Sequence, residues 1–346
     1  MKKLKLIGLL MIITSSLMFI QCTSDPIAGA PGIAGVDGED GIDGTDGVDG
    51  VDGTASCVAC HNLSHRADIK EAFATSGHAT GDTWQRGSSA SCAQCHGNEG
   101  YIDYITTGAV KTAGYVGVVT PMACTTCHNK HSTFDFANDG NDFALRNMDP
   151  VALNKTDPTV VIDYGNSSNN CVTCHQPRSK APLDDGTGLY LQANSRFYPH
   201  YSGQSAMLEG IQGAVIDGGT TAIPGAGTAA HRTGASCVAC HMNSSTDGLT
   251  GGHTFKRNNT ACTTCHTTVP TEVAGLAADM AALHDKLFAL GLITADGSTI
   301  VQTTKIPFKT AQALWNYKTI EEDGSNGIHN PLYAKSLIKN ALEAVN

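Results

Sequence analysis

The chain has 346 residues, of which 41% are hydrophobic, 6% aromatic and 16% charged, and its formal net charge is −10 at pH 7. This length is enough for two ordinary domains or for one domain built around bulky cofactors. The acidic balance, without a clustered basic face, argues against nucleic-acid binding. The scarcity of aromatic residues predicts a loose core unless something other than side chains fills the interior.

Residues 1–21 are predicted to be a bacterial export signal. Lys2, Lys3 and Lys5 precede the apolar run LIGLLMIITSSLMFI, which is too short for a comfortable membrane span. Cys22 follows, as at a lipoprotein lipidation site, although Gln21 stands where a small residue is usual. The alternative is an ordinary export signal with an incidental cysteine. We therefore expect an exported protein at the outer membrane surface or outside the cell, with the periplasm as the alternative, and contact with a membrane only through a lipid anchor.

Residues 22–54 are predicted to be an acidic spacer with a collagen-like pattern. Nine glycines recur in strict steps of three from Gly29 to Gly53, and Asp fills the last place of most triplets. Only glycine fits the axis of a collagen triple helix, so a short trimerising stalk is one interpretation. The run has a single interior proline, Pro31, and its aspartates would repel one another across three chains. A solvated spacer between a surface anchor and the body is therefore the favoured interpretation.

Residues 55–266 form the predicted body, and residues 267–346 a helical C-terminal segment that completes it. The body is rich in Gly, Asn, Ser and Thr and has no sustained strand alternation, which predicts loops and short helices with little β structure. A first C-terminal helix is predicted from Leu276, Met280, Leu283, Leu287 and Leu290, with Gly291 as its stop signal. A second helix is predicted in FKTAQALWNYKTI. A third is predicted to begin at Asn330-Pro331 and to carry an apolar stripe of Leu332, Leu337, Ile338 and Leu342.

The body contains six copies of the motif C-x-x-C-H. They use twelve of the thirteen cysteines, and the thirteenth is Cys22. A disulfide framework does not explain a histidine after every pair, and zinc would want four ligands per ion. A thioredoxin-like redox motif would occur once, beside a βαβ pattern that is absent here. The cysteines are Cys57, Cys60, Cys92, Cys95, Cys124, Cys127, Cys171, Cys174, Cys237, Cys240, Cys262 and Cys265.

This motif is the attachment site of c-type haem. Two thiols separated by two residues reach the two vinyl groups on one edge of the porphyrin, and the next residue places its imidazole under the iron. The sequence therefore predicts six covalent haems as cofactors, whose macrocycles supply the apolar bulk that the few aromatics do not. The predicted proximal iron ligands are His61, His96, His128, His175, His241 and His266.

Segments around these motifs are similar to those of bacterial multihaem c-type cytochromes, in particular the outer-surface and extracellular cytochromes of metal-reducing bacteria. They include CTTCHNKHSTFDF, PHYSGQSAMLEG, HRTGASCVACHM and NYKTIEEDGSNGIHNPLYAKSLI. The resemblance covers most of residues 55–346 and implies a chain of closely packed haems. It also implies the distal ligands, which are His78, His131, His200, His231, His253 and His329.

Two further histidines, His65 and His284, remain after that assignment. His284 flanks the apolar stripe of a predicted helix, so packing against that stripe is one interpretation of it. His65 lies four residues after a predicted proximal ligand, so a neighbouring haem or a neighbouring subunit are alternatives for it. Which distal histidine serves which iron is not fixed by the sequence.

The ligand set favours electron transfer over catalysis. Two imidazoles leave a low-spin iron with no open position, and the spare histidines outnumber the irons. The alternative is a multihaem reductase of a small nitrogen or sulfur oxyanion, because GIHNP, CVACHM and GGHTF are similar to segments of multihaem nitrite reductases. Many of those enzymes use a lysine in place of one motif histidine, and no C-x-x-C-K occurs here. The expected partners are redox partner cytochromes or extracellular acceptors, and the resemblance adds self-association into a filament.

Overall fold

The computed structural model describes residues 55–139, 142–244 and 249–346, which belong to one compact unit from Gly53 to Asn346. The predicted export signal, Cys22 and the glycine-rich spacer lie outside the described residues. Short helices joined by loops make up most of the described chain. The helices are α1 (Ala55–His61), α2 (Leu63–Ala74), α3 (Gly77–Thr80), α4 (Ala90–Ala93), α5 (Asn98–Thr107), α6 (Cys124–Cys127), α7 (Phe136–Asp139), α8 (Ser168–Val172), α9 (Gln204–Glu209), α10 (Ala230–Gly234), α11 (Cys237–His241), α12 (Leu276–Ala289), α13 (Phe308–Asp323) and α14 (Pro331–Ala344), with 3₁₀ turns at Thr83–Ser88, Gly252–Thr254 and Asn259–Thr264.

The β structure described consists of two small antiparallel sheets and two isolated bridges, His128 with Leu145 and Ile293 with Thr299. Strand β1 (Val151–Leu153) pairs with β2 (Asp157–Ile162), and β3 (Leu189–Tyr190) pairs with β4 (Ile306–Pro307). The first sheet buries a small apolar cluster of Val151, Leu153 and Ile162 against Val172 of α8. The predicted fold class, loops and short helices with little β structure, is confirmed.

Each cysteine motif lies on, or directly beside, a short helical turn. Cysteines three residues apart lie on one face of a helix, so both thiols point the same way. The turn closes on the motif histidine, because the backbone N–H of His175 donates to the carbonyl of Cys171 at 2.9 Å. The same bond runs from His96 to Cys92 at 3.0 Å. The motif therefore sets the direction of two thiols and one imidazole locally.

The largest apolar core is built around α12, α13 and α14. Leu283, Leu287, Leu314 and Leu337 are fully buried there, and segments of the preceding body pack into the same cluster. The indole N–H of Trp315 donates to the carbonyl of Gln212 at 2.9 Å, which fixes a body loop to α13. Among the described helices, none combines the length and apolar character that a membrane span requires.

The three predicted C-terminal helices are confirmed, although α13 runs on to Asp323, three residues beyond the predicted segment, and two of the predicted apolar positions are wrong. Gly291 follows α12 with φ +69°, and the side chain of Asn330 accepts the N–H of Tyr333 at 3.2 Å as the cap of α14. Leu332 is 70% exposed because it lies in the first turn of α14, beyond the face that packs on α12 and α13. Leu290 is 54% exposed because α12 ends at Ala289, before that position.

Candidate haem-binding sites

The twelve histidines predicted as iron ligands lie in six pairs of neighbouring rings. Each pair joins one motif histidine to one expected distal histidine, and the ring centroids are 5.9 to 6.3 Å apart. Each of the twelve occurs in one such pair. The pairs are His61–His131, His96–His200, His128–His253, His175–His78, His241–His329 and His266–His231.

The separation within each pair fits an iron held between two imidazoles. Metal–imidazole bonds are about 2 Å long, so an iron flanked by two imidazoles spaces their ring centroids by about 6 Å. Across residues 55–139, 142–244 and 249–346, no group of three or more His, Cys, Asp or Glu side chains could hold a metal ion alone. Two imidazoles at this separation suit an iron whose other four ligands are the nitrogens of a porphyrin.

The motif cysteines are available for thioether bonds. None of the twelve forms a disulfide, so they build no disulfide framework. Cys95 Sγ of the second motif donates to the carbonyl of Thr173 at 3.8 Å, and Cys174 Sγ of the fourth donates to the carbonyl of Gln94 at 3.7 Å. Cys237 of the fifth motif raises the pKa of the Cys171 thiol of the fourth. Attachment points from different motifs therefore lie side by side.

The second and fourth motifs line one common cavity of about 280 Å³. The amide of Gln94 donates to the carbonyl of Thr173 at 3.1 Å, which holds the two motifs together. Both histidine pairs of these motifs and three of their cysteines line this cavity. These lining residues are His78, His96, His175, His200, Cys92, Cys95 and Cys174.

Six of the paired imidazoles form a hydrogen bond through Nδ1. Such a bond fixes the tautomer and the ring orientation and leaves Nε2 free for a metal. His128, His231 and His241 donate to the carbonyl oxygens of Phe143, Ile328 and Phe255, respectively. His175 donates to Gln204 Oε1, His200 to Ser202 Oγ and His329 to the carboxylate of Asp323. The six distances are 2.5 to 3.1 Å.

Burial lowers the pKa of six of the twelve paired imidazoles, which favours the neutral form that binds metals. Burial lowers the pKa of His78 to about 4, with a smaller contribution from the charge of His175. It also lowers the pKa of His200 to about 4, helped by Arg178. His329 differs: burial opposes its protonation, but the hydrogen bond and charge of Asp323 outweigh burial and raise its pKa.

The two remaining histidines belong to none of the six ring pairs, although the charge of His65 contributes to lowering the pKa of His253. His65 is exposed on α2, where its backbone N–H donates to Asn62 Oδ1 at 2.8 Å and caps the helix. His284 lies on α12 beside Asp285, with an Nδ1 to carboxylate distance of 3.3 Å, and its ring stacks near Phe288. Neither ring lies beside a motif histidine within the described part of the chain, and the packing interpretation of His284 agrees with this position.

Several residues that support the pairs were not predicted from the sequence. Asp323 lies six residues before His329, and Gln204 lies four residues after His200. A carboxylate shortly before an expected ligand is a signal that could have pointed to Asp323. Gln204 carried no such signal, because it supports His175 rather than its neighbour His200.

Comparison with solved structures agrees with a multihaem cytochrome fold. The chain is similar to outer cell wall cytochrome OcwA, with a TM-score of 0.52 and 20% identity over 80% of this chain and 50% of that one. It also matches an undecahaem cytochrome from the S-layer of Carboxydothermus ferrireducens, with a TM-score of 0.47 and 17% identity over 80% of this chain and 39% of the other. The chain thus spans about half or less of these proteins.

The resemblance to multihaem cytochromes expected from the sequence is therefore confirmed at the level of the fold. No family model and no curated protein matches the chain.

Proposed function

We propose that this protein transfers electrons through six covalently attached c-type haems, each with two histidine ligands. The observation that carries the proposal is the one-to-one matching of six motif histidines with six others at the separation an iron requires. The two cysteines of each motif would form the thioethers, and the two imidazoles of each pair would be the axial ligands.

A haem held in this way supplies a one-electron couple at a metal with no vacant coordination position. Burial favours the neutral form of six of the paired imidazoles, and Nδ1 hydrogen bonds orient six of them. Because all six motif histidines have a partner ring, none of the six sites is left open for a substrate. This arrangement favours an electron carrier over the alternative, a reductase of a small oxyanion.

Mass and spectroscopy of the exported, oxidised protein test the proposal. We expect an intact mass that includes six haem adducts, low-spin ferric signals in low-temperature EPR, and no carbon monoxide binding after reduction. A stoichiometric high-spin signal with carbon monoxide binding would favour the reductase. A mass without porphyrin would remove both interpretations.

We further propose an extracellular or outer-surface location, with redox partner cytochromes or extracellular acceptors as partners. The predicted export signal and Cys22 support this location, and the solved relatives are cytochromes of an outer cell wall and an S-layer. Labelling of intact cells with an impermeant reagent tests the location.

Electron microscopy of the concentrated protein tests self-association into filaments, for which dispersed particles would be the contrary result.

A further inference from the structure

A tight turn at residues 251–256 places one aromatic residue, Phe255, in an unfavourable backbone conformation. Gly251 and Gly252 have φ of +70° and +50°, and Phe255 has φ +55°. Glycine adopts this left-handed region freely, whereas a phenylalanine pays a steric cost there. The turn is held by Gly251 N–H donating to the Lys256 carbonyl at 2.8 Å. It is also held by Thr254 Oγ1 donating to the Gly251 carbonyl at 2.6 Å.

The ring of Phe255 lies between two of the paired imidazoles. Its centroid is 4.5 Å from that of His78 and 5.9 Å from that of His253, with interplanar angles of 79° and 74°. Edge-to-face contacts of this kind have a preferred geometry, so they limit the rotation of the imidazole ring. His78 pairs with His175 and His253 pairs with His128, so one ring contacts two different sites.

The backbone of Phe255 reaches a third site. Its carbonyl oxygen accepts the Nδ1 hydrogen bond of His241 at 2.8 Å. His241 pairs with His329, and this hydrogen bond fixes the plane of the His241 ring. The left-handed conformation of Phe255 therefore presents a ring to two sites and a carbonyl to another.

We propose that Phe255 is a positioning residue that sets the imidazole orientations at three of the six haem sites. The inference rests on the proposed function, because it concerns ligands of the six haems. Packing of the Phe255 side chain alone does not require the left-handed backbone conformation, whereas contact with three separate ligand pairs gives a reason for it. The g-values of a low-spin ferric haem depend on the angle between its two imidazole planes, so EPR reports this role directly.

Phe255→Gly separates the ring from the backbone, because glycine keeps the left-handed turn and its carbonyl. We expect two of the six low-spin signals to shift, those of the His78–His175 and His128–His253 sites, while the His241–His329 signal stays in place. In Phe255→Val, the β-branched side chain disfavours this backbone conformation, and we expect the third signal to move as well. Phe255→Tyr retains both the ring and the backbone conformation, so all three signals should stay where they are in the unmodified protein.

Phe288→Ala is the matched control. The ring of Phe288 is 51% exposed, and its centroid is 6.4 Å from that of His284, which belongs to none of the six pairs. We expect its EPR spectrum to match that of the unmodified protein. If Phe255→Gly leaves all six signals unchanged, or displaces all six alike, the positioning role is wrong. Failure of the proposed function would be distinct, because the unmodified protein would then lack six low-spin signals or haem adducts.

Discussion

At the scale of single residues, Asp323 is the one anionic acceptor among the six Nδ1 hydrogen bonds. It ends α13, with a side chain 1% exposed, and it accepts from His329 Nδ1 at 2.6 Å and from the hydroxyl of Ser325. A carboxylate at a helix C-terminus opposes the helix dipole, and burial adds a further cost. Its hydrogen bonds offset these costs. A negative charge beside an axial ligand raises ligand basicity and stabilises the ferric state.

Asp323→Asn is therefore expected to raise the potential of one haem. A change of about 1.4 kcal/mol in the relative stability of the ferric form corresponds to about 59 mV for a one-electron couple, and we expect a shift on that order. A spectroelectrochemical titration measures it. Asp285→Asn is the matched control, because Asp285 contacts the unpaired His284 at 3.3 Å. Identical titrations of Asp323→Asn and the unmodified protein would remove Asp323 from this role.

At the scale of elements, the sequence predicts what is encoded within one local window. The bounds of α12 and α14 follow from apolar periodicity, Gly291 and the Asn330 cap, all of which act within a few residues. The thiols and proximal histidine of each motif are likewise local. The pairing of His175 with His78 joins residues from distant parts of the chain, and it depends on how intervening loops fold. Such pairings, and the small sheets, therefore escaped prediction.

The predicted apolar stripe of α14 supplies a matched pair for a stability test. Leu337 is fully buried in the main core, whereas Leu332 of the same helix is 70% exposed. Leu337→Ala should lower the free energy of unfolding by about 2–5 kcal/mol because it leaves a cavity. Leu332→Ala should change it by less than about 0.5 kcal/mol. Urea denaturation followed by circular dichroism measures both values, and equal losses would contradict the observed burial.

At the scale of the whole molecule, apolar burial is unevenly distributed. Most residues of the main core belong to α12, α13 and α14 and the segments just before them. The second apolar cluster comprises Val151, Leu153, Ile162 and Val172. Residues 55–139 have few buried apolar side chains, yet they supply three of the six cysteine motifs. We therefore expect this region to depend on the proposed haems for apolar contacts more than the C-terminal helices do.

Removal of the haems should accordingly unfold the molecule in parts. In protein expressed without haem attachment, we expect amides of residues 55–139 to exchange with deuterium rapidly, because their side chains bury too little apolar surface to offset chain entropy. Amides of α12, α13 and α14 should remain partly protected, because Leu283, Leu314 and Leu337 pack on one another without a cofactor. Hydrogen exchange read by mass spectrometry, with the haem-loaded protein as control, distinguishes the two regions. Equal protection of residues 55–139 with and without haem would show that the polypeptide alone specifies this region. The haems would then bind to a fold that forms without them, rather than supply part of its core.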